Sequence, residues 1–591
     1  MKKSFAKIAD NGEGALKGLF NFGLFIFTKP GLRLLKKIAK RYLQTSGVIK
    51  QHTISYNEWI KAQSGPALVK NDFEQNVKNL ALTPKVSIIL PACYTDQHDI
   101  THTIASVFDQ SYAHWELCIS DTLSFPQLAQ KDDRIKLLPT DGSNTATCIN
   151  VLLAATTGDY ILFLMPGDII TPAGLFEVIK HINAHPSDSL IYSDEDRINN
   201  NGTYTTPYFK PGWSPDTLLS RNYIGHNFIA KKELISTING FAENTNYFYD
   251  FLLRASEMTD RISHIAKVLF HCAPHSFTEA ENTASKKALN DAVARRGTPA
   301  IINQITGAPG CYYIDYQVMQ PAAVSIIIPT KDNTALLKTT IDSIIEKTNY
   351  PGYEIIVLNN NSNSEEFFSL IKKYQIRHPD KFRCIDANFP FNFARLMNLG
   401  VAESRGEYIL MCNNDIEVTH TDWISNMVSY AQRTKTGAVG VKLLYPDNTI
   451  QHAGIVLGKD EATAHIYANF PAGDNGYLYG LKAVTNYAAV TAACMICRKE
   501  VYLKAGGMDE ALEVEYNDID FCLRLLQNGY YNLYLPSAVL YHHESATRGH
   551  PFRSIKAYRQ HEKDLAIFRS KWQPLIDNDP YYNANLNIAF T

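Results

Sequence analysis

The sequence predicts an α/β protein made of two tandem, related domains, and three observations predict it. An apolar, β-branched run ended by proline, Val86-Ser87-Ile88-Ile89-Leu90-Pro91, returns 238 residues later as Val324-Ser325-Ile326-Ile327-Ile328-Pro329, the pattern of a buried parallel strand feeding a loop. Three more landmarks return in the same order: Gly158-Asp159-Tyr160-Ile161-Leu162 as Gly406-Glu407-Tyr408-Ile409-Leu410, Tyr249 to Arg254 as Ile519 to Arg524, and Val268 to His271 as Val539 to His542, displaced by 248, 270 and 271 residues. Chance likeness of apolar strands explains one match, not four; the growing displacement means a duplication with residues inserted in the second copy. Third, strand-like runs such as Glu354 to Leu358 alternate with amphipathic segments such as Ile104 to Phe108 and Thr339 to Ile345. That alternation predicts a largely parallel sheet whose ligand site lies beyond the C-terminal ends of its strands.

In chain order, residues 1–79 read as an N-terminal helical extension, 80–300 as the first domain, 318–550 as the second, and 551–591 as a helical tail packing around Trp572. In the extension, Lys29, Arg33, Lys36, Lys37, Lys40 and Arg41 interleave with Leu32, Leu35, Ile38, Ala39 and Tyr42. This is the pattern of an amphipathic helix, lying on a membrane surface through residues 20–43 or packing on the body of the protein. The apolar stretch Leu19 to Phe27 is shorter than the roughly 20 residues that span a bilayer, and Asp10 and Glu13 precede it, unlike a secretory signal.

A chain of 591 residues exceeds one hydrophobic core, and 45% hydrophobic with 20% charged residues excludes disorder, collagen and a polytopic membrane protein. Lys plus Arg (57) nearly cancel Asp plus Glu (59), so no global basic field attracts nucleic acid. Ten cysteines, mostly inside apolar runs such as those around Cys118, Cys412 and Cys522, read as buried small hydrophobes in a reducing, cytoplasmic compartment. Cys494 and Cys497 form a C-x-x-C with no second Cys or His pair nearby to complete a zinc site.

The chemistry gathers in the second domain. Asn413-Asn414-Asp415 follows the strand Tyr408 to Cys412, bringing one carboxylate and two carboxamides to the ligand edge, where a hard cation, Mg²⁺ or Mn²⁺, takes oxygen ligands and a diphosphate. Glu515-Tyr516-Asn517-Asp518-Ile519-Asp520 leads into an amphipathic helix; acids at a helix start are also plain N-caps worth about 1 kcal/mol. To these add Pro329-Thr330, Asn359 to Ser362, Gly506 to Glu510 and Tyr541 to Gly549. Together these motifs resemble the family 2 glycosyltransferases of the GT-A fold, particularly bacterial enzymes of O-antigen and other surface-polysaccharide assembly. The resemblance covers residues 85–550 and is stronger in the second unit.

The resemblance implies two tandem GT-A domains, Rossmann-like folds that bind nucleoside-diphosphate sugars. It implies transfer of a hexose or deoxyhexose from such a donor to a saccharide or lipid-linked acceptor at the inner face of the cytoplasmic membrane. Thr330, Asp332, Asn359 and Asn360 correspond to the nucleotide-contacting edge, Asn360 standing where many relatives have aspartate. Asp415 corresponds to the last residue of the family's D-x-D motif, Asn413 to its first, with Asn414 between them. His542, favoured over His543 by its match to His271, corresponds to the histidine completing the metal and diphosphate site, and Asp518 to the catalytic base. Arg548 is read as a diphosphate partner or a solvated surface residue, and His452 and Ala492 to Cys494 as acceptor-side lining or as structure. One carboxylate and one metal suffice for an inverting displacement; a covalent, retaining route needs a second carboxylate, for which Glu515 and Asp520 stand near.

Two other classes remain open from sequence: a non-catalytic scaffold, and a sugar nucleotidyltransferase, against which the lack of a Gly-rich basic loop after Pro329 counts. The first domain is expected to be inactive. Phe248 stands where Asp518 does, only Asp168 offers a carboxylate in Leu164 to Asp168, and Thr122 replaces an acid beside Asp121. The acidic run Asp194-Glu195-Asp196 reads as a remnant of the family pattern or as a solvated loop.

Overall fold

The structure is a computed structural model that describes residues 55–63, 76–92, 97–120, 132–140, 144–199, 201–243, 245–458, 462–543 and 554–587. Its first sheet is built from β1 (Val86–Leu90), β2 (Trp115–Ser120), β3 (Ile135–Leu138), β4 (Tyr160–Phe163), β5 (Ile169–Ile170), β6 (Leu190–Ile198), β7 (Tyr204–Tyr208), β8 (Phe228–Lys231) and β9 (Ile262–Cys272). A hairpin, β10 (Ala300–Gln304) and β11 (Tyr312–Tyr316), follows. The second sheet uses β12 (Val324–Thr330), β13 (Tyr353–Asn359), β14 (Phe382–Asp386), β15 (Tyr408–Cys412), β16 (Ile416–Val418), β17 (Thr436–Leu444), β18 (Ile450–His452), β21 (Thr485–Asn486), β22 (Cys494–Arg498) and β23 (Tyr531–His542); β19 (Ile455–Leu457) and β20 (Thr463–His465) pair with each other.

The two sheets follow one path. The first runs β3-β2-β1-β4-β8-β6-β9-β5 and the second β14-β13-β12-β15-β22-β17-β23-β16. Each begins with four parallel strands, continues through two antiparallel pairings, returns to a parallel one and closes with a short antiparallel strand. The expected duplication and α/β class are therefore present, but the sheets are mixed rather than largely parallel, with three antiparallel pairings on each path. The insertion in the second copy falls between β17 and β22: β18 pairs with β17 as β7 does with β6, and β19 to β21 have been added. β1 and β2 are buried at every residue, as continuous apolar runs covered on both faces should be.

The copies meet across a polar, buried seam. Arg433 pairs with Asp216, Asn486 Nδ2 donates to Asp216 Oδ2 at 2.9 Å, and the Tyr477 hydroxyl donates to Pro207 O at 2.7 Å. The tail straps the two together. Its helix Ile555–Asp577 lies on the second domain, where Trp572 Nε1 donates to Asp520 Oδ1 at 2.9 Å and Phe568 stacks on Tyr516. Beyond it, Asn583 reaches Asp194 of the first domain at 2.8 Å. No helix among the described residues is long and apolar enough to cross a membrane; the basic segment 20–43 lies outside them.

Candidate active site

At the C-terminal end of β15 the chain is fixed by its backbone. Asn413 N–H donates to Ala493 O at 2.9 Å, and Asp415 O accepts from His543 N–H at 2.9 Å. β16 then pairs with β23 so that Ile416 lies opposite His542. This register sets Asp415 beside His542, with Oδ1 3.1 Å from Nε2, while Asn413 Nδ2 lies 3.3 Å from the same nitrogen. Both residues are buried, at 7% and 4% exposure. Although the separation is that of an ion pair, the angles do not make a hydrogen bond: Asp415 Oδ1 has no hydrogen-bond partner, nor has His542 Nδ1. A buried carboxylate oxygen without a donor costs about 1–3 kcal/mol. A divalent cation would satisfy it, and oxygen donors with one imidazole suit Mn²⁺ or Mg²⁺. His543 points away, as the next residue on a strand must, and pairs with Glu417 at 3.0 Å.

Asn414 turns to the neighbouring strand, where its Nδ2 donates to Thr330 Oγ1 at 2.9 Å. The other three residues of the expected nucleotide edge lie at the ends of β12 and β13, and their side chains tie those strand ends to each other and to the end of β14. Asn360 donates to Ala387 O and Phe389 O at 2.8 and 2.9 Å, Asn359 donates to Asp386 Oδ1 at 2.8 Å, and Asp332 Oδ1 accepts from Asn363 N–H at 3.0 Å. Arg548 lies outside the described residues.

Asp518 arrives from the other side. A left-handed Tyr516 (φ 63°) turns the chain into the helix Asn517–Gln527, whose N-terminus favours a negative charge. Half-buried Asp518 accepts from Ala492 N–H at 3.0 Å and from Ile519 N–H at 2.9 Å. Since Ala493 holds Asn413, one dipeptide ties the carboxylate to the Asp415 edge. The two alternative carboxylates are otherwise engaged: Asp520 by Arg524, Lys571 and Trp572, and Glu515 by His561 at 2.6 Å.

A histidine pair behind the edge is the feature that sequence reasoning only half found. His452 Nδ1 lies 3.0 Å from His465 Nδ1. Burial first, then the neighbouring His465 and His542, push the His452 imidazole well below its usual range, so it is neutral at neutral pH. His465 sits in the inserted segment, and no motif points to it.

The matched edge of the first domain is differently furnished. Ile169 lies opposite His271 as Ile416 does opposite His542, which makes Asp168 the counterpart of Asp415. Its partner is a different histidine, however: Asp168 Oδ2 lies 2.6 Å from His226 Nε2, while His271 turns to Asp196 at 2.6 Å. Phe248 packs among Phe163, Phe228 and Phe241 and against the His226 ring. Asp194, Glu195 and Asp196 do not form a solvated loop. They lie in β6 at 0%, 2% and 0% exposure because each has a partner: His264 and Asn583, Lys210 and Arg197, His271 and Tyr56. Asp121 and Thr122 lie outside the described residues.

Two copies of one sheet, the second presenting a carboxylate and a histidine at its strand ends, define a tandem α/β protein with its candidate site in the second copy. Residues 87–267 and 325–471 match the sequence model of Glycosyl transferase family 2, and the chain belongs to that family. It is similar to the uncharacterized protein y4gI of Sinorhizobium fredii (strain NBRC 101917 / NGR234), 36% identical over 540 residues that cover 87% of this chain and 58% of the relative. It is similar also to the O-antigen biosynthesis protein RfbC of Myxococcus xanthus, 34% identical over 558 residues, 91% of this chain and 43% of that protein. A shorter stretch of 131 residues, 21% of this chain and 51% of the relative, is 35% identical to the UDP-Glc:alpha-D-GlcNAc-diphosphoundecaprenol beta-1,3-glucosyltransferase WfgD of Escherichia coli. The chain spans about half the length of the first two relatives it matches.

Proposed function

We propose that this chain transfers a sugar from a nucleoside-diphosphate donor to a saccharide or lipid-linked saccharide acceptor during surface-polysaccharide assembly, and that the second domain does so alone. The observation that carries this reading is the pairing of Asp415 with His542 at one strand edge, with Asp415 Oδ1 buried and lacking a hydrogen-bond donor and Asp518 tied to that edge through Ala492 and Ala493. Asp415 and His542 would hold Mg²⁺ or Mn²⁺, which when bound offsets the negative charge of the departing diphosphate. Asp518, steadied by two backbone N–H groups, takes the proton of the acceptor hydroxyl as it attacks. Thr330 and Asn414 orient the donor from the adjoining strand. With Asp520 and Glu515 committed to the tail helix, a single inverting displacement is favoured over a covalent route. The names of the relatives support the polysaccharide setting and the lipid-linked acceptor.

The test is turnover by the full chain with a panel of sugar nucleotides and Mn²⁺. Release of nucleoside diphosphate is expected; pyrophosphate instead would make the chain a nucleotidyltransferase, and donor binding without turnover would make it a scaffold. The basic segment 20–43 is proposed to hold the enzyme at the anionic inner membrane face, and removing residues 1–45 should abolish salt-sensitive binding to anionic vesicles. Unchanged vesicle binding by the truncated chain would refute that part alone.

A further inference from the structure

The first domain's edge has been rebuilt with ligands of a different chemistry. Asp168 Oδ2, His226 Nε2 and Cys272 Sγ lie within 4.8 Å of one another, arriving from three places: the turn before β5, the segment before β8, and the end of β9. Asp168 and Cys272 are buried at 2% and 1%, whereas the His226 side chain keeps 30% of its exposure, leaving one side open. Buried Asn227 sets its carboxamide between two of them, one end 2.9 Å from Cys272 Sγ and the other 3.1 Å from Asp168 Oδ2. Cys272 borders the apolar core of the first domain on one side and polar groups on the other. It lies opposite Arg197 in the sheet, and Arg197 Nη1 binds Glu195 Oε1 at 2.8 Å.

We propose that the first domain binds one divalent cation of the Zn²⁺ class on Asp168, His226 and Cys272, with water in the fourth position on the side that His226 leaves open. A thiolate, an imidazole and a carboxylate together select a borderline-soft ion over Mg²⁺ or Mn²⁺. Their charges also cancel those of the cation, so the buried site is close to neutral. Asp168 Oδ2 and His226 Nε2 lie 2.6 Å apart, and ligation by a thiolate and a neutral imidazole would release protons. Ordinary zinc bond lengths put tetrahedral N and O ligands about 3.3 Å apart, so the Asp–His pair has to open by less than about 1 Å. Asn227 stands where it can bond the bound thiolate or carboxylate, the outer contact such ligands commonly have. Phe248, in the position of the second domain's base, packs against the His226 ring at 5.7 Å between centroids. The cation would therefore hold the domain together without acting on a substrate.

The test uses the full chain, stripped with chelator and titrated with Co²⁺ and with Zn²⁺. One equivalent of Co²⁺ should give a thiolate-to-cobalt charge-transfer band that Zn²⁺ displaces and Mg²⁺ does not. Cys272→Ser should remove the band, His226→Gln should weaken binding at least tenfold, and Cys494→Ser and Asp415→Ala should leave the band in place. Circular dichroism checks folding; should Cys272→Ser fail to fold, the half-open His226→Gln variant decides. No charge-transfer band at saturating Co²⁺, a band that survives Cys272→Ser in folded protein, or Co²⁺ affinity unchanged in His226→Gln would overturn the proposal.

Discussion

Ser87 and Ser325 each donate, at 2.6 Å, to a glutamate on the neighbouring strand, Glu116 and Glu354. Gly158 and Gly406 each donate back to those serines at 2.9 and 2.8 Å. A Cβ on either glycine would come within 2.6 Å of the serine, so both copies keep glycine. Arg254 binds Asp250 as Arg524 binds Asp520, one helical turn apart. At the other end of the sheets the copies part company: Phe248 stands where Asp518 does, His542 leaves Asp415 partly unsatisfied where His271 has turned away to Asp196, and Lys442 stands where Asp194 does. Residues that close the sheet answer to the sheet and persist. Residues at the strand ends answer to a ligand, and in the first domain they now serve the assembly: Asp196 holds the segment at Tyr56, and Asp194 holds the tail.

The comparison breaks most sharply at the base. Asp518→Asn should lower kcat at least about a hundredfold while donor affinity holds, because a carboxamide cannot accept the acceptor's proton. The matched change Phe248→Leu, hydrophobic for hydrophobic, should cost under about 1.5 kcal/mol of stability and leave kcat within about twofold. Steady-state kinetics on both variants decides; near-normal turnover in Asp518→Asn removes that residue from the mechanism. Next comes the cation. Asp415→Ala should weaken both Mn²⁺ and sugar-nucleotide binding by at least about tenfold, since a first ligand should matter no less than the outer contacts of a metal site. His542→Ala should do the same more mildly. Calorimetric titration checks this, and unchanged metal dependence in both variants would shift attention to Glu417 and His543.

How much of this was legible in the sequence follows from how far each signal reaches. The duplication was legible because buried parallel strands are apolar at nearly every position and their one serine is held by a fixed partner, so Val86 to Pro91 and Val324 to Pro329 stayed alike. The sequence also placed Asp415 and His542 at the edge, and the structure sets them 3.1 Å apart. What was not legible depends on distant pairing. That Asn359, Asn360 and Asp332 would spend their side chains on neighbouring strand ends, that Glu515 would meet His561, and that His465 would back His452 are facts of tertiary contact with no local spacing. The acidic run Asp194 to Asp196 stayed open between a family remnant and a solvated loop for the same reason: its partners lie up to 389 residues away.

Those acids sharpen the comparison through stability. Burial alone would raise the Glu195 carboxyl, but Lys210 and Arg197 outweigh it and hold the group down at about 2. Glu195→Gln leaves Lys210, whose side chain is wholly buried, without its counter-charge, which should cost about 3–5 kcal/mol at neutral pH. The folded carboxyl lies below its ordinary value of 4.5, so the contribution is complete above that pH and is lost as pH falls toward about 2. Urea melts of wild type and variant should therefore converge between pH 5 and 2 (about the span of the two values). An equal gap at both ends would mean that the pair is not what stabilises β6.

The smallest expected effect concerns the strap. Asn583 donates to both oxygens of Asp194, at 2.9 and 2.8 Å, and to Lys210 O at 3.0 Å. Asp194 keeps Lys210 N–H at 2.8 Å and His264 at 2.7 Å when the amide is gone. Asn583→Ala should therefore cost only about 1–3 kcal/mol, the penalty for partly unpairing a buried acceptor. The second domain has no such clamp at the matched position, where Lys442 is held down to about 8 by burial and by Lys482 nearby. Loss of Asn583 should then be felt on one side only. Hydrogen exchange should speed up in residues 579–587 and in β9 near Val268, while the tail helix Ile555–Asp577, anchored by Trp572 and Lys571 on Asp520, keeps its protection. Equal loosening of the helix would show that the tail docks as one unit, and that the first domain's acids are not the separate anchor the comparison assigns them.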